Sequence, residues 1–169
     1  MSYPKYLDAS AATKLVIPED MSNDLLQFFR PQNGFVMTPF CFYETLSTLK
    51  AKWQGRKNSS KQIIRITDRQ YHDSCYLLLS YVRSRKIEVE EDLILSSMDV
   101  QPEVERLARV YRLDFSDALQ LLTLKQGCYR SFTGASSALL ISDDGLLVES
   151  ARKEGLRVWY LKDPSTKPQ

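Results

Sequence analysis

The stretch Leu139-Leu140-Ile141-Ser142-Asp143-Asp144-Gly145 constrains this chain more than any other. Its apolar run reads as a buried strand, and the strand ends in two carboxylates followed at once by a glycine and a helical pattern. A strand interior has no use for an ionised side chain, because burying a carboxylate without a partner is costly. The same event occurs near the start, where Tyr6-Leu7 run into Asp8 and then into Ala9-Ser10-Ala11-Ala12-Thr13. Two strands that each deliver an acid at their carboxyl end predict a parallel sheet with an acidic cluster in the crevice where open α/β folds bind ligands.

The remaining chain supplies the helices such a sheet needs. Ser10 is placed to cap a helix through Lys14, Leu15, Val16 and Ile17 that Pro18 ends. A second short helix is expected over 21–29, then a turn at Asn33-Gly34 and a buried strand at Phe35-Val36-Met37. Thr38-Pro39 is a strong helix start, with Phe42, Leu46, Leu49 and Trp53 as its apolar stripe. Glu44 falls on the opposite side of that helix, in line with Phe40, Ser47 and Ala51. Further helices are predicted over about 61–85, over 99–111, from Ser116 onward and over 145–153, with a last strand at Val158–Leu161. The acidic run Glu88, Glu90, Glu91, Asp92 is ambiguous between strand and loop. With 169 residues, the economical organisation is one α/β domain over 1–162, carrying a helical arm at about 61–86 and a flexible tail at 163–169.

Composition excludes several classes. Hydrophobic content of 43% with 26% charged residues excludes disorder. No apolar run approaches the length of a membrane span and the amino terminus lacks a secretory pattern, so a cytoplasmic location is expected. Cys41, Cys75 and Cys128 are widely spaced and predict free thiols rather than a disulfide framework or zinc site. His72, the only histidine, excludes a multi-histidine metal site and reads as a solvated helix position. The net charge of +2 marks no nucleic-acid binder by itself, but Lys50, Lys52, Arg56, Lys57, Lys61, Arg65 and Arg69 cluster around Trp53. Clustered cations with an aromatic neighbour can track a phosphate backbone and stack a base, so Lys50, Lys52, Trp53, Arg56 and Lys57 are candidate RNA contacts.

The exceptional acids are Asp8, Glu44, Asp117 and the pair Asp143-Asp144, each at a strand end or near a helix start on otherwise apolar elements. Asp117 falls in line with Leu121, Leu124 and Cys128, where a carboxylate needs a cation unless it only caps the helix. Carboxylates converging in one crevice repel each other, and hard divalent cations with oxygen ligands relieve this, which implies Mg²⁺ or Mn²⁺.

The order of these segments, Tyr6-Leu7-Asp8 with Ala9–Leu15, then Glu44, then Ser116-Asp117-Ala118-Leu119, then Leu140-Ile141-Ser142-Asp143-Asp144, resembles a PIN domain and within that family the VapC-type ribonuclease toxins. The resemblance implies a three-layer α/β/α fold with a central parallel sheet and a metal-dependent endoribonuclease that hydrolyses RNA phosphodiester bonds. It also implies a cognate antitoxin in a type II toxin-antitoxin pair, and a homodimer with candidate contacts at 21–29 and 61–82. Carried over, Asp8, Glu44, Asp117 and Asp144 are the catalytic acids, with Asp8, Asp117 and Asp144 holding the metal and Ser10, Ser142 and Asp143 supporting them. Asp143 competes with Asp144 for the metal, and Asp114 with Asp117. Lys14 stands where the family often has a lysine and is assigned no catalytic role. Two other readings are open: a PIN-type RNA- or protein-binding module without turnover, and a phosphohydrolase resembling the haloacid dehalogenases. The second expects Asp-x-Asp at the first strand, where this chain has Ser10 in the third place.

Overall fold

A computed structural model describes residues 3–55, 65–90, 100–126 and 137–168. Its elements run β1 (Lys5–Leu7), α1 (Ala9–Val16), α2 (Ser22–Phe29), β2 (Phe35–Met37), α3 (Pro39–Trp53) and α4 (Asp68–Arg83). They continue with β3 (Ile87–Val89), α5 (Val100–Tyr111), α6 (Phe115–Gln126), β4 (Leu139–Ser142), α7 (Gly145–Lys153) and β5 (Arg157–Tyr160). The strands form one sheet in the order β3-β2-β1-β4-β5, every pairing among the described residues being parallel.

Period-two alternation decides which helix covers which face. Leu7, Phe35, Met37, Leu139, Ile141 and Trp159 point into one core with Ala11, Leu15, Leu25, Phe28, Phe29, Leu49 and Leu78 from α1 to α4. Tyr6, Val36, Leu140 and Val158 point into the other, against Val104, Leu107, Leu119, Leu122 and Leu147 from α5 to α7. The result is a three-layer α/β/α fold. Burying both faces is why these strands read as continuous apolar runs, and why α6 is apolar almost all round, with Ala118 to Leu124 all buried.

Strand order also locates the crevice. From β1 the chain winds outward through β2 to β3, then returns to β4 on the other side of β1 and continues to β5. The reversal falls between β1 and β4, whose register sets Leu7 against Ile141. Asp8 and the Asp143-Asp144 pair therefore leave the sheet side by side at the topological switch point.

Several local expectations change. The side chain of Asp8, not Ser10, caps α1, accepting from the backbone N–H groups of Ala9 and Ser10, because the acid is one residue outside the first helical turn. The helical arm is shorter than expected: 65–67 are not helical, and α4 starts at Asp68 behind a capping box of Thr67 and Gln70. Part of the acidic run becomes edge strand β3, where Tyr6 Oη donates to Glu90 Oε2 at 2.5 Å. The last strand is 157–160, one residue earlier than expected. The tail is tied down rather than frayed. Pro164–Thr166 form a 3₁₀ turn, Thr166 Oγ1 accepts from Tyr160 N at 2.9 Å, and Lys167 reaches Asp24 at 3.2 Å.

The apolar face of α2 packs into the chain's own core through Leu25, Phe28 and Phe29, and α4 exposes Tyr76, Leu77 and Leu79. Cys41 and Cys75 are free thiols and His72 is exposed, while Cys128 lies outside the described residues. Among the described residues no helix is long and apolar enough to cross a membrane.

Candidate functional site

Asp8 sits at the centre of the switch-point crevice and is nearly inaccessible. Its Oδ1 accepts from Ala9 N at 2.7 Å, and its Oδ2 accepts from Ser10 Oγ at 2.5 Å and Ser142 Oγ at 2.8 Å. The two serines pass the connection onward, since Ser10 Oγ accepts from Asp143 N and Ser142 Oγ from Asp144 N, both at 2.9 Å. The ends of β1 and β4 are thus laced together around one carboxylate. Burial raises the proton affinity of Asp8, and its hydrogen bonds from Ser10, Ser142 and the backbone work in the opposite direction.

A cleft of about 480 Å³ opens above this carboxylate, and its lining includes Asp8, Glu44, Asp114, Asp117, Asp143 and Asp144. The amino-terminal ends of α1, α6 and α7 face it, and α3 lines it from its second turn onward. Asp114 occupies the start of α6, accepting from Asp117 N and Ser116 Oγ at 2.9 Å each. That capping contact leaves Asp117 free to face the cleft from the stripe that continues, buried, through Leu121 and Leu124. Asp144 caps α7 through Oδ1, which accepts from Leu146 N and Leu147 N at 2.7 and 3.0 Å. Glu44 is exposed on the second turn of α3.

Electrostatics show that these acids feel one another. Asp117 is pushed up to about 7, first by burial and then by the charges of Asp114, Asp8, Asp144 and Glu44. Glu44, although exposed over much of its surface, is raised first by the part the cleft removes from water and then by the charges of Asp8, Asp114 and Asp144. Cys41 is no nucleophile here: burial, then the charge of Asp8, pushes its thiol up.

Asp143 and Asp144 differ in partners. Asp143 lies 3.3 Å from Lys14 Nζ and 3.2 Å from Lys162 Nζ, whereas Asp144 contributes its charge to the cluster felt by Glu44 and Asp117. Both line the cleft. Ser10, where a haloacid dehalogenase would carry its second acid, is a hydrogen-bond partner of Asp8. Among the described residues, no three or more His, Cys, Asp or Glu side chains are gathered closely enough to hold a metal ion by themselves.

Of the candidate RNA contacts, Lys52 lines the cleft and Lys50 is exposed away from its lining. Trp53 is already engaged, stacked on Tyr71 at 4.8 Å and 9° and donating to Asp68 Oδ1 at 2.6 Å. Arg56 and Lys57 lie outside the described residues. Ala9, Ser10, Thr13, Lys14, Glu19, Thr48 and Lys52 make up the rest of the lining, and of these Glu19 and Thr48 are not expected from the sequence. A signal for Thr48 was present, because Glu44, Thr48 and Lys52 recur every fourth residue and share one side of α3.

No protein-family model matches the chain, and no curated protein matches it. Among solved structures it is similar to that described as the crystal structure of PAE2754 from Pyrobaculum aerophilum, with a TM-score of 0.53 and 18% identity over 88% of this chain and 79% of that one. At that identity the likeness speaks for the fold alone.

Proposed function

We propose that this protein is a PIN-like, metal-dependent endoribonuclease that hydrolyses RNA phosphodiester bonds. The observation that carries the reading is the convergence of Asp8, Glu44, Asp117 and Asp144 from four separate elements on one cleft at the switch point, with Glu44 and Asp117 raised above the ordinary carboxylate range first by burial and then by their neighbours' charge. Excess negative charge of this kind has no structural use. It is what an all-oxygen site for a hard cation requires.

Asp8, Asp117 and Asp144 are the residues that would hold Mg²⁺ or Mn²⁺, and Mg²⁺ characteristically takes one or two carboxylates and keeps several waters. Such a site does not need three acids gathered beforehand. When bound, the ion supplies Lewis acidity toward a phosphate oxygen and lowers the pKa of a bound water. Glu44, which lines the same cleft, would orient a water and accept its proton, a role its raised proton affinity suits. Ser10 and Ser142 fix the Asp8 carboxylate and so set the position of the whole cluster.

RNA is the substrate in this reading. A cognate antitoxin that covers the cleft, and a second copy of the chain, are its expected protein partners. The decisive variant is Asp8→Asn, which keeps an oxygen to cap α1. The native protein should cleave a labelled single-stranded RNA with Mg²⁺ and lose that activity in EDTA. Asp8→Asn should be inactive while melting cooperatively. Unchanged cleavage by the variant would sink the assignment, and RNA binding by the native protein without Mg²⁺-dependent cleavage would favour the non-catalytic binding module.

A further inference from the structure

The cleft has two electrical halves. The acids gather at the beginnings of α1, α6 and α7 and on the second turn of α3, while α1 and α3 contribute lysines one to two turns further along each helix. Lys14 follows Ser10 by one turn of α1, and Lys52 follows Glu44 by two turns of α3, which places their backbones about 12 Å apart along the helix at 1.5 Å per residue. Both lysines line the same cleft as the acids.

Between the two ammonium groups lies a single carboxylate. Glu19, in the connection from α1 to α2, sets Oε1 2.6 Å from Lys52 Nζ and Oε2 3.4 Å from Lys14 Nζ. The side chains of Lys14, Lys52 and Glu19 are only 7%, 17% and 12% exposed. Two cations drawn from different helices onto one anion, at a cleft wall and largely removed from water, make a built anion site whose present occupant is a side chain. The occupant sits on a connection, not on a helix, so it can withdraw without breaking a helix.

We propose that Lys14 and Lys52 form the subsite for an RNA phosphate one or two nucleotides from the cleaved bond, and that Glu19 fills this subsite in the free protein until RNA displaces it. The inference rests on the nuclease reading and deepens it. Cleavage chemistry belongs to the acid half, and registration of the strand belongs to the lysine half. Asp143, held by Lys14, joins the two. Entry of RNA exchanges a carboxylate for a phosphate on the same two ammonium groups, so the intrinsic affinity of the subsite is masked by Glu19.

The test is fluorescence anisotropy of a labelled single-stranded RNA oligonucleotide with the full chain in EDTA, where binding is read without cleavage. Glu19→Gln should bind about tenfold more tightly than the native protein, equivalent to about 1.4 kcal/mol. Lys52→Gln should bind about tenfold more weakly with a shallower salt dependence, and Lys52→Arg should restore both. Glu149→Gln on exposed α7 removes the same formal charge and controls for net charge; it should leave affinity nearly unchanged. Melting curves identify any variant that fails to fold, and Glu19→Gln carries the test alone. The inference is overturned if Glu19→Gln binds like the native protein, or if Glu149→Gln tightens binding equally. Mg²⁺-dependent cleavage with lysine variants that bind normally would overturn this inference and leave the nuclease reading standing. Absence of any RNA binding or cleavage by the native protein would overturn both.

Discussion

Asp117→Asn should make the protein more stable and inactive at once. In the metal-free protein Asp117 ionises only at about 7, against an ordinary value of 3.8, because the folded cleft buries it beside Asp114, Asp8, Asp144 and Glu44. A group whose folded-state pKa is raised binds protons more readily folded than unfolded. Its contribution to stability is therefore full below 3.8 and is lost as pH climbs toward about 7. Taken at face value, the gap from 3.8 to about 7 sets a ceiling of about 4 kcal/mol on the penalty at neutral pH and above. Asp117 is only partly buried, in a cleft open to water and counterions, which reduces the expected effect to about 1–2 kcal/mol. Asparagine removes the charge and keeps the shape. The variant's melting temperature at pH 8 in EDTA should exceed the native value by several degrees, at about 2–4 °C per kcal/mol for a domain of this size. The difference should vanish near pH 4. Saturating Mg²⁺ should stabilise the native protein and not the variant, by about 2.7 kcal/mol at a hundredfold excess over the dissociation constant. Melting curves across pH 4 to 8, with and without Mg²⁺, check all of this. A variant less stable than the native protein at pH 8, or a native curve that does not fall between pH 4 and 7, would refute the repulsion on which the reasoning rests.

Glu154, at the carboxyl end of α7, lies in a network with Lys125 at 2.5 Å, Tyr111 at 2.6 Å and Arg106 at 3.2 Å. Burial opposes its ionisation, but these hydrogen bonds outweigh it and hold the carboxyl down at about 2. Glu154→Gln should cost about 1–3 kcal/mol above the usual carboxylate range, a cost that fades as pH falls from 4.5 toward about 2, measured by urea unfolding. Gly155 closes α7 with φ at 77° and open space where a Cβ would go, so Gly155→Ala should cost about 1–2 kcal/mol from backbone strain alone, with cleavage unchanged.

The fold was legible in the sequence where burial imposes a pattern. Strands with both faces covered must be apolar throughout, so an acid can only mark their end, and Asp8 and Asp143-Asp144 marked two ends that are adjacent in the sheet. Glu44 and Asp117 line the same cleft from helices α3 and α6, which strand patterning does not predict. What sequence could not show are contacts between segments with no shared period. Lys14, Glu19 and Lys52 meet only because α1 packs on α3, and Lys167 meets Asp24 across 143 positions. The roles of neighbouring acids were equally hidden. Asp114 rather than Asp117 spends itself on the start of α6, and Asp143 takes the lysines while Asp144 caps α7, choices set by contacts that residue type and spacing do not encode. The arm begins later than the sequence predicts because a run of lysines and arginines gives no start signal, whereas Thr67 with Gln70 does.

The central claim is that this acidic cleft exists to hold a divalent cation. Titration of the metal-free protein with Mn²⁺, followed by the electron paramagnetic resonance of the free ion, tests it without reference to any substrate. The native protein should bind Mn²⁺ saturably, with the ion displaced by Mg²⁺, and Asp8→Asn and Asp144→Asn should each weaken binding by tenfold or more. Native protein that leaves the Mn²⁺ signal unchanged, or variants that bind as the native protein does, would contradict the account.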